Sequence, residues 1–364
     1  MPALICDILS RSKEHEAAPT AFDDFSLSKG TPTDPGFIAT DQRWSPYCID
    51  AESQRALFVE LPKDIDLGQS AFAYVTQFQS ARRAVSVGFD DLAALAETAP
   101  RPNTTVMVYS IGRCGSTLVS KIFSKLPKVW SVSEPDILTN LASQSDMLTP
   151  SEFRRLVQCA LRLSYRPPDL HDADVFVVKP RSMQVFEYEN MFSATPDAKN
   201  MFLIRDAASW TASCYQFAQK QGLPAKDLPQ DMLEMLWNIM SNNTPRENLF
   251  KLLQTDTFPS QLEDVLAACW IVTIEKCTQA AALAGRDNIF TYDSLNNDRE
   301  TTVRRILALC GFGPEHLSKA ITAYDTHSQA GTASTSKRPA ESLTPRQTAR
   351  INELTAPYAH LAQM

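Results

Sequence analysis

From Thr104 onward, short apolar runs alternate with segments of helical periodicity. TTVMVYS, at 104–110, is rich in β-branched and apolar residues and predicts a central parallel strand. After one small loop, STLVSKIFSKL places Leu118, Ile122 and Leu126 near one helical face. VWSVSEP, DVFVVKPRS, KNMFLIRDAASW and RDNIFTYDSL supply four further strands, and helical patterns occupy 151–163, 207–221, 230–242 and 261–284. This alternation predicts an α/β fold, with a central, mainly parallel sheet flanked on both faces by helices.

The regions outside that pattern differ from it. Residues 1–34 are mixed and polar, and SKGTPTDPG marks a turn-rich boundary near 29–37. RALFVELP, at 55–62, predicts a strand. The stretch from Phe72 to Pro100 predicts one or two short helices, with room for a strand between them. Two domains are expected: residues 1–100 as an N-terminal extension or cap that can contribute to an acceptor pocket, and 101–364 as the main α/β domain. Near the end, Thr344 caps a helix that takes Pro345 in its first turn. Ile351, Leu354, Tyr358 and Leu361 recur at helical spacing, and Pro357 bends or restarts that helix. The tract at 328–342 is loop-like, with Ser, Thr, Lys and Arg able to close over an anion.

Composition narrows the function classes. The chain has 364 residues, 44% of them hydrophobic, so a large core is available. Lys+Arg number 35 against Asp+Glu 42, a net charge of −7, which argues against indiscriminate nucleic-acid binding but permits a local basic pocket. The eight cysteines, at 6, 48, 114, 159, 214, 269, 277 and 310, form no CxxC pair and read as buried thiols. With five scattered histidines, no metal site is expected. The first residues are charged too early for a signal peptide. The longest apolar run, VLAACWIVTI, has ten residues and is too short to span a bilayer. A cytoplasmic enzyme is the expectation.

The loop GRCGSTL, directly after the first strand, carries the most chemical information. A strand, a small-residue turn and a helix together aim backbone amides and the positive helix end at an anion. Gly112 and Gly115 permit close backbone approach, Ser116 and Thr117 add hydroxyl donors, and Arg113 can neutralise an outer phosphate. The loop lacks the Gly-Lys-Ser/Thr ending of a nucleoside triphosphate site. From the loop alone, a kinase, another phosphate-binding enzyme and a plain tight turn all remain open.

With a second motif the chain resembles the sulfotransferase family, which uses 3′-phosphoadenosine 5′-phosphosulfate (PAPS). RCGST, from Arg113 to Thr117 and including Cys114, matches that family's first signature. In LIRDAASWTAS, Arg205 at a strand end is followed eight positions later by Ser213, as in the segment the family uses on the 3′-phosphate. The resemblance covers roughly 104–312. It implies a three-layer P-loop fold, PAPS as donor, 3′-phosphoadenosine 5′-phosphate (PAP) as product, no metal requirement, and direct in-line transfer to a hydroxyl of a small-molecule acceptor. Arg205 can form paired, charge-assisted contacts with phosphate.

The resemblance also suggests who moves the proton. Glu134, in SVSEP, takes the position of the catalytic glutamate of several branches and is the expected general base. Lys179, in VFVVKPRSM, is expected to stabilise the bridging oxygen, and Arg113 to offset charge on the donor side. Arg181 stands near where aryl and steroid enzymes place a histidine. Arginine stays protonated and cannot be that base, so Arg181 is a candidate clamp for sulfonate or an acidic acceptor. Asp136, His171 and His327 are reserve bases. Tyr292 and Asp293 read as architectural. Ser328, Lys337 and Arg338 are expected to contact phosphate from the closing segment. Alternatives are another P-loop phosphotransferase and a noncatalytic nucleotide-binding protein.

Overall fold

Strands begin earlier in the chain than its polar opening predicts. The computed structural model describes residues 3–14, 18–167, 173–223, 228–325 and 340–363. It divides into two compact units: Met1–Val108 with Val119–Lys199, and Tyr109–Leu118 with Asn200–Met364.

The first unit opens with an antiparallel sheet built from β1 (Ala3–Arg11), β2 (Phe25–Leu27), β3 (Thr31–Thr33), β4 (Trp44–Asp50), β5 (Arg55–Glu60) and β6 (Arg83–Gly88). The order is β2-β1-β6-β5-β4, with β3 also on β1. Residues 1–34 thus hold three strands where the sequence read as mixed and polar. In β1 only Ala3 is fully buried, so its hydrophobic alternation is faint. β4 and β5 are almost wholly buried. Two helices, Ala73–Ser80 and Phe89–Thr98, flank β6, as the pattern allowed. The side chain of Arg166, after the helix Pro150–Ser164, donates to the carbonyls of Ile38, Ala39 and Trp44 at 2.6–3.2 Å. Burial pushes its pKa down to about 10.

The same unit carries the start of the parallel sheet. β7 (Thr104–Ser110) lies beside β9 (Ala173–Lys179), which pairs with β8 (Lys128–Ser133), all in parallel. Val106 is opposite Val177 and Trp130 opposite Phe176, whose rings stack at 5.4 Å. The residues following β8 and β9 therefore emerge side by side, at the carboxyl ends where parallel sheets place their ligands.

In the second unit, the end of β7 lies beside β10 (Lys199–Ile204), which pairs in parallel with β11 (Ile289–Thr291). The helices Ala207–Lys220, Gln230–Met240, Arg299–Cys310 and Pro345–Thr355 belong to this unit. Thr344 caps its helix as expected and forms a capping box with Gln347, and the α-helix stops at Thr355, two residues before Pro357, passing into a 3₁₀ turn. The helix Leu262–Ala284 occupies the pattern read at 261–284, and the ten-residue apolar run is part of it. It has 23 residues and is long and apolar enough to cross a bilayer by length and composition, yet 72% of its most apolar window is buried inside the protein.

Candidate active site

The phosphate loop, Arg205 and Ser213 all lie in the second unit and are bonded to one another. Gly112, Arg113 and Gly115 have φ of 76°, 51° and 86°. Left-handed residues beside ordinary ones turn successive amides inward and form a concavity suited to anions. At Gly115 a side chain meets two obstacles: the positive φ, and Leu295 and Tyr292, which lie 3.2 and 3.4 Å from where a Cβ would stand. Cys114 is fully buried, its thiol 3.3 Å from the Leu203 carbonyl. Ser116 and Thr117 open the helix Ser116–Ser124 and are buried.

Arg113 and Arg205 bring two positive charges to this loop. Arg205 Nη1 donates to the Arg113 carbonyl at 2.8 Å, its Nε donates to Ser209 Oγ at 2.8 Å, and its guanidinium stacks 3.9 Å above the Tyr292 ring. Arg113 Nε donates to Ser213 Oγ at 3.1 Å, and its guanidinium lies 4.9 Å from the Phe217 ring. Burial lowers the pKa of Arg113, and the nearby Arg205 adds to that effect. Arg205 forms no ion pair among the described residues. Asp206 instead accepts from Ser209 and caps the helix Ala207–Lys220.

Several residues that the sequence reading did not single out hold this cradle. Trp210 Nε1 donates to the carbonyls of Ile111 and Gly112 at 3.1 and 3.0 Å, and Trp270 Nε1 to that of Arg205 at 2.9 Å. A buried indole N–H needs a partner, which was the only sequence signal for either. Tyr292, expected to be architectural, both packs on Gly115 and stacks on Arg205.

Glu134 and Lys179 come together in the first unit. β8 and β9 end in register, Ser133 opposite Lys179, and the Glu134 amide donates to the Lys179 carbonyl at 2.6 Å. Lys179 Nζ forms an ion pair with Glu134 Oε1; the two side chains are 4% and 15% exposed, so the carboxylate keeps the more open position. The ammonium also lies 5.7 Å from the Phe72 ring. Glu134 holds a left-handed φ of 55°, which costs an L-residue about 1–2 kcal/mol.

Arg181 does not have the open position a clamp requires. It is buried, 3.9 Å over the Tyr74 ring, with Nη2 donating to Asp136 Oδ2 at 2.9 Å. Its Nε lies 2.6 Å from Asp136 Oδ1, a charge contact that is closer than it is well directed. Burial pulls the Arg181 pKa down, Asp136, Tyr74 and Glu134 push it up, and the net shift is upward. Asp136 is fully buried and also accepts from the Thr20 amide at 2.7 Å, so it is poorly placed as a reserve base. Ser328, Lys337, Arg338, His327 and His171 lie outside the described residues. Among the described residues no group of His, Cys, Asp and Glu could hold a metal ion.

Comparison with known proteins adds to this geometry. No curated protein matches the sequence. A sulfotransferase from Alicyclobacillus acidocaldarius is similar in structure at 14% identity, covering 73% of this chain and 95% of its own, with a TM-score of 0.42. A sulfotransferase from Mycobacterium avium shows 13% identity, 73% and 78% coverage and a TM-score of 0.38. Retinol dehydratase, crystallised with androsterone and the inactive cofactor PAP, shows 15% identity, 71% and 81% coverage and a TM-score of 0.36. The family model for the sulfotransferase domain matches residues 103–349, well over half of the chain and inclusive of every described site residue, and the chain therefore belongs to the sulfotransferase family.

Proposed function

We propose that this enzyme transfers a sulfuryl group from PAPS to a hydroxyl of a small-molecule acceptor, in one in-line step without a covalent protein intermediate. One observation carries the donor assignment. Arg205, at a strand end and without a carboxylate partner among the described residues, is bonded to the backbone of a left-handed loop whose Arg113 is bonded to Ser213. A half-buried guanidinium favours an anion. In this reading Arg205 and Ser213 take the 3′-phosphate. The amides and hydroxyls of 112–117, with Arg113, take the 5′-phosphosulfate. Residues Ser328, Lys337 and Arg338 are proposed to add phosphate contacts.

Glu134 is proposed to accept the acceptor's proton as the new S–O bond forms, and the old S–O bond to the 5′-phosphate breaks toward PAP. Lys179 and Arg113 would stabilise the charge developing there. The Glu134–Lys179 pair supports these roles, since it keeps a carboxylate and an ammonium adjacent at a sheet end.

Calorimetry with PAP and with adenosine diphosphate, which lacks the 3′-phosphate, tests the donor site. PAP should bind more tightly, and Arg205→Ala should weaken PAP much more than adenosine diphosphate. Equal affinities would remove Arg205 and Ser213 from the 3′-phosphate. Labelled PAPS offered with a panel of phenols, alkanols and sugars tests transfer, and PAP binding without transfer to any of them would favour a noncatalytic nucleotide-binding protein.

A further inference from the structure

The two strand ends carry matching tripeptides of opposite charge, Glu134-Pro135-Asp136 after β8 and Lys179-Pro180-Arg181 at the end of β9. Each acidic residue meets the basic residue in the corresponding place: Glu134 pairs with Lys179, and two residues on, Asp136 pairs with Arg181. The first pair is partly open and the second is buried, with Asp136 fully excluded from solvent.

We infer that Asp136 and Arg181 are positioning residues that hold Glu134 and Lys179 in place. This rests on the roles proposed above for Glu134 and Lys179. Three observations carry it. Asp136 occupies the N-cap of the helix Ile137–Ser143, where an aspartate ordinarily bonds the helix amides, yet its side chain makes no capping bond. Its carboxylate is turned to Arg181 and to the Thr20 amide instead. Glu134 holds a left-handed φ directly before a proline, where an extended backbone is favoured. Such a conformation persists where the surroundings over-determine it, and here the flanking constraints are the Glu134 amide on the Lys179 carbonyl and the Asp136 carboxylate on Arg181. Third, the buried pair is anchored from outside the parallel sheet. Thr20 Oγ1 donates to the Tyr47 carbonyl at 2.8 Å, Asn140 Nδ2 donates to the Thr20 carbonyl at 2.6 Å, and the Ala18 carbonyl accepts from Arg181 at 3.4 Å. The segment before β2 thereby fixes the position of the strand-end pair.

The test replaces both buried charges at once, Asp136→Leu with Arg181→Met, because removing an entire buried pair in favour of apolar residues is often tolerated, whereas removing one partner strands the other charge. A thermal melt reports folding, and PAP calorimetry reports the donor cradle. A crystal structure of the variant with PAP reports the placement of Glu134, and single-turnover transfer from labelled PAPS reports chemistry. The expected result is a folded protein with PAP affinity within about twofold of the parent, a displaced Glu134 no longer in contact with Lys179, and kcat reduced about 100-fold at little-changed donor KM, the scale of a misplacement near 1 Å. Arg181→Lys alone, which keeps the charge opposite Asp136, should lose less than the double variant. A variant whose Glu134 keeps its left-handed backbone and its contact with Lys179 would overturn the inference, whatever its rate. Displacement of Glu134 with a parental rate would sustain the positioning and instead overturn Glu134 as the base.

Discussion

Arg113 and Glu134, two of the side chains assigned to chemistry, are among the seven non-glycine residues of those described that sit on left-handed backbone. Each gives up about 1–2 kcal/mol to do so, and each is held by bonds on both sides: Arg113 by Arg205 on its carbonyl and Ser213 on its guanidinium, Glu134 by the Lys179 carbonyl and ammonium. Strain retained where a carboxylate is presented fits a group that must meet a substrate in one orientation. Glu134→Gln keeps the shape and removes proton acceptance. It should leave PAP affinity unchanged and lower the single-turnover transfer rate by about 10²–10⁴-fold, the general scale of acid–base assistance. An unchanged chemical step, measured on the best acceptor of the panel, would remove Glu134 from that role. Arg205, just after β10, and Ser213, on the helix that follows, stand where the resemblance to the family's second signature led us to expect them. The setting of Arg181 was not legible, because whether a guanidinium faces a pocket or a buried aspartate depends on Asp136 and Tyr74, which a one-dimensional reading does not place beside it.

At the scale of elements, strands buried on both faces were the most legible. β7 occupies the residues read as a strand, since continuous apolar, β-branched runs have few other uses in a chain of this class. β1 was missed because eight of its nine residues are at least partly exposed, which leaves no run and little alternation to read. Leu262–Ala284 occupies the residues read as helical, and there Glu275 and Lys276 interrupt the apolar run but not the helix. Two charges on one edge of a long helix cost little when that edge reaches solvent. The last α-helix was read from its cap together with the helical spacing that begins at Ile351. Thr344 Oγ1 accepts from the Gln347 amide at 3.3 Å while Gln347 Oε1 accepts from the Thr344 amide at 2.8 Å. Thr344→Ala should therefore destabilise the protein by about 1 kcal/mol, read from chemical denaturation, with PAP affinity unaltered. A loss of PAP binding at parental stability would show that this end of the chain serves the donor site and not only the fold.

At the scale of the whole molecule, the division into two units was not legible, because it runs through β7 and the helix after the loop, and contacts between distant segments decide it. Nor was the clustering of buried thiols. In the second unit Cys114, Cys214, Cys269 and Cys277 are all buried. Burial pushes the Cys214 thiol up to about 12, against the opposing influence of Arg113 and Arg205, and burial also raises Cys269 and Cys277. The unfolded chain sheds these protons near pH 8.5. A folded-state pKa above the unfolded one contributes stability that is full below about pH 8.5 and is lost as pH rises toward the folded value. Alkali should thus weaken the fold by about 1.4 kcal/mol per pH unit for each thiol in that window. Lysines and tyrosines titrate in the same range, so the informative quantity is a difference between proteins. Cys277→Ala removes one such thiol from a site where cysteine acts as a small apolar residue. Melts of both proteins from pH 7 to pH 10 in reductant should show the parent losing stability more steeply above pH 8.5, by up to one proton's worth of slope. Parallel curves would mean that the Cys277 thiol ionises as readily in the folded protein as in the unfolded chain, and that its burial does not hold the proton.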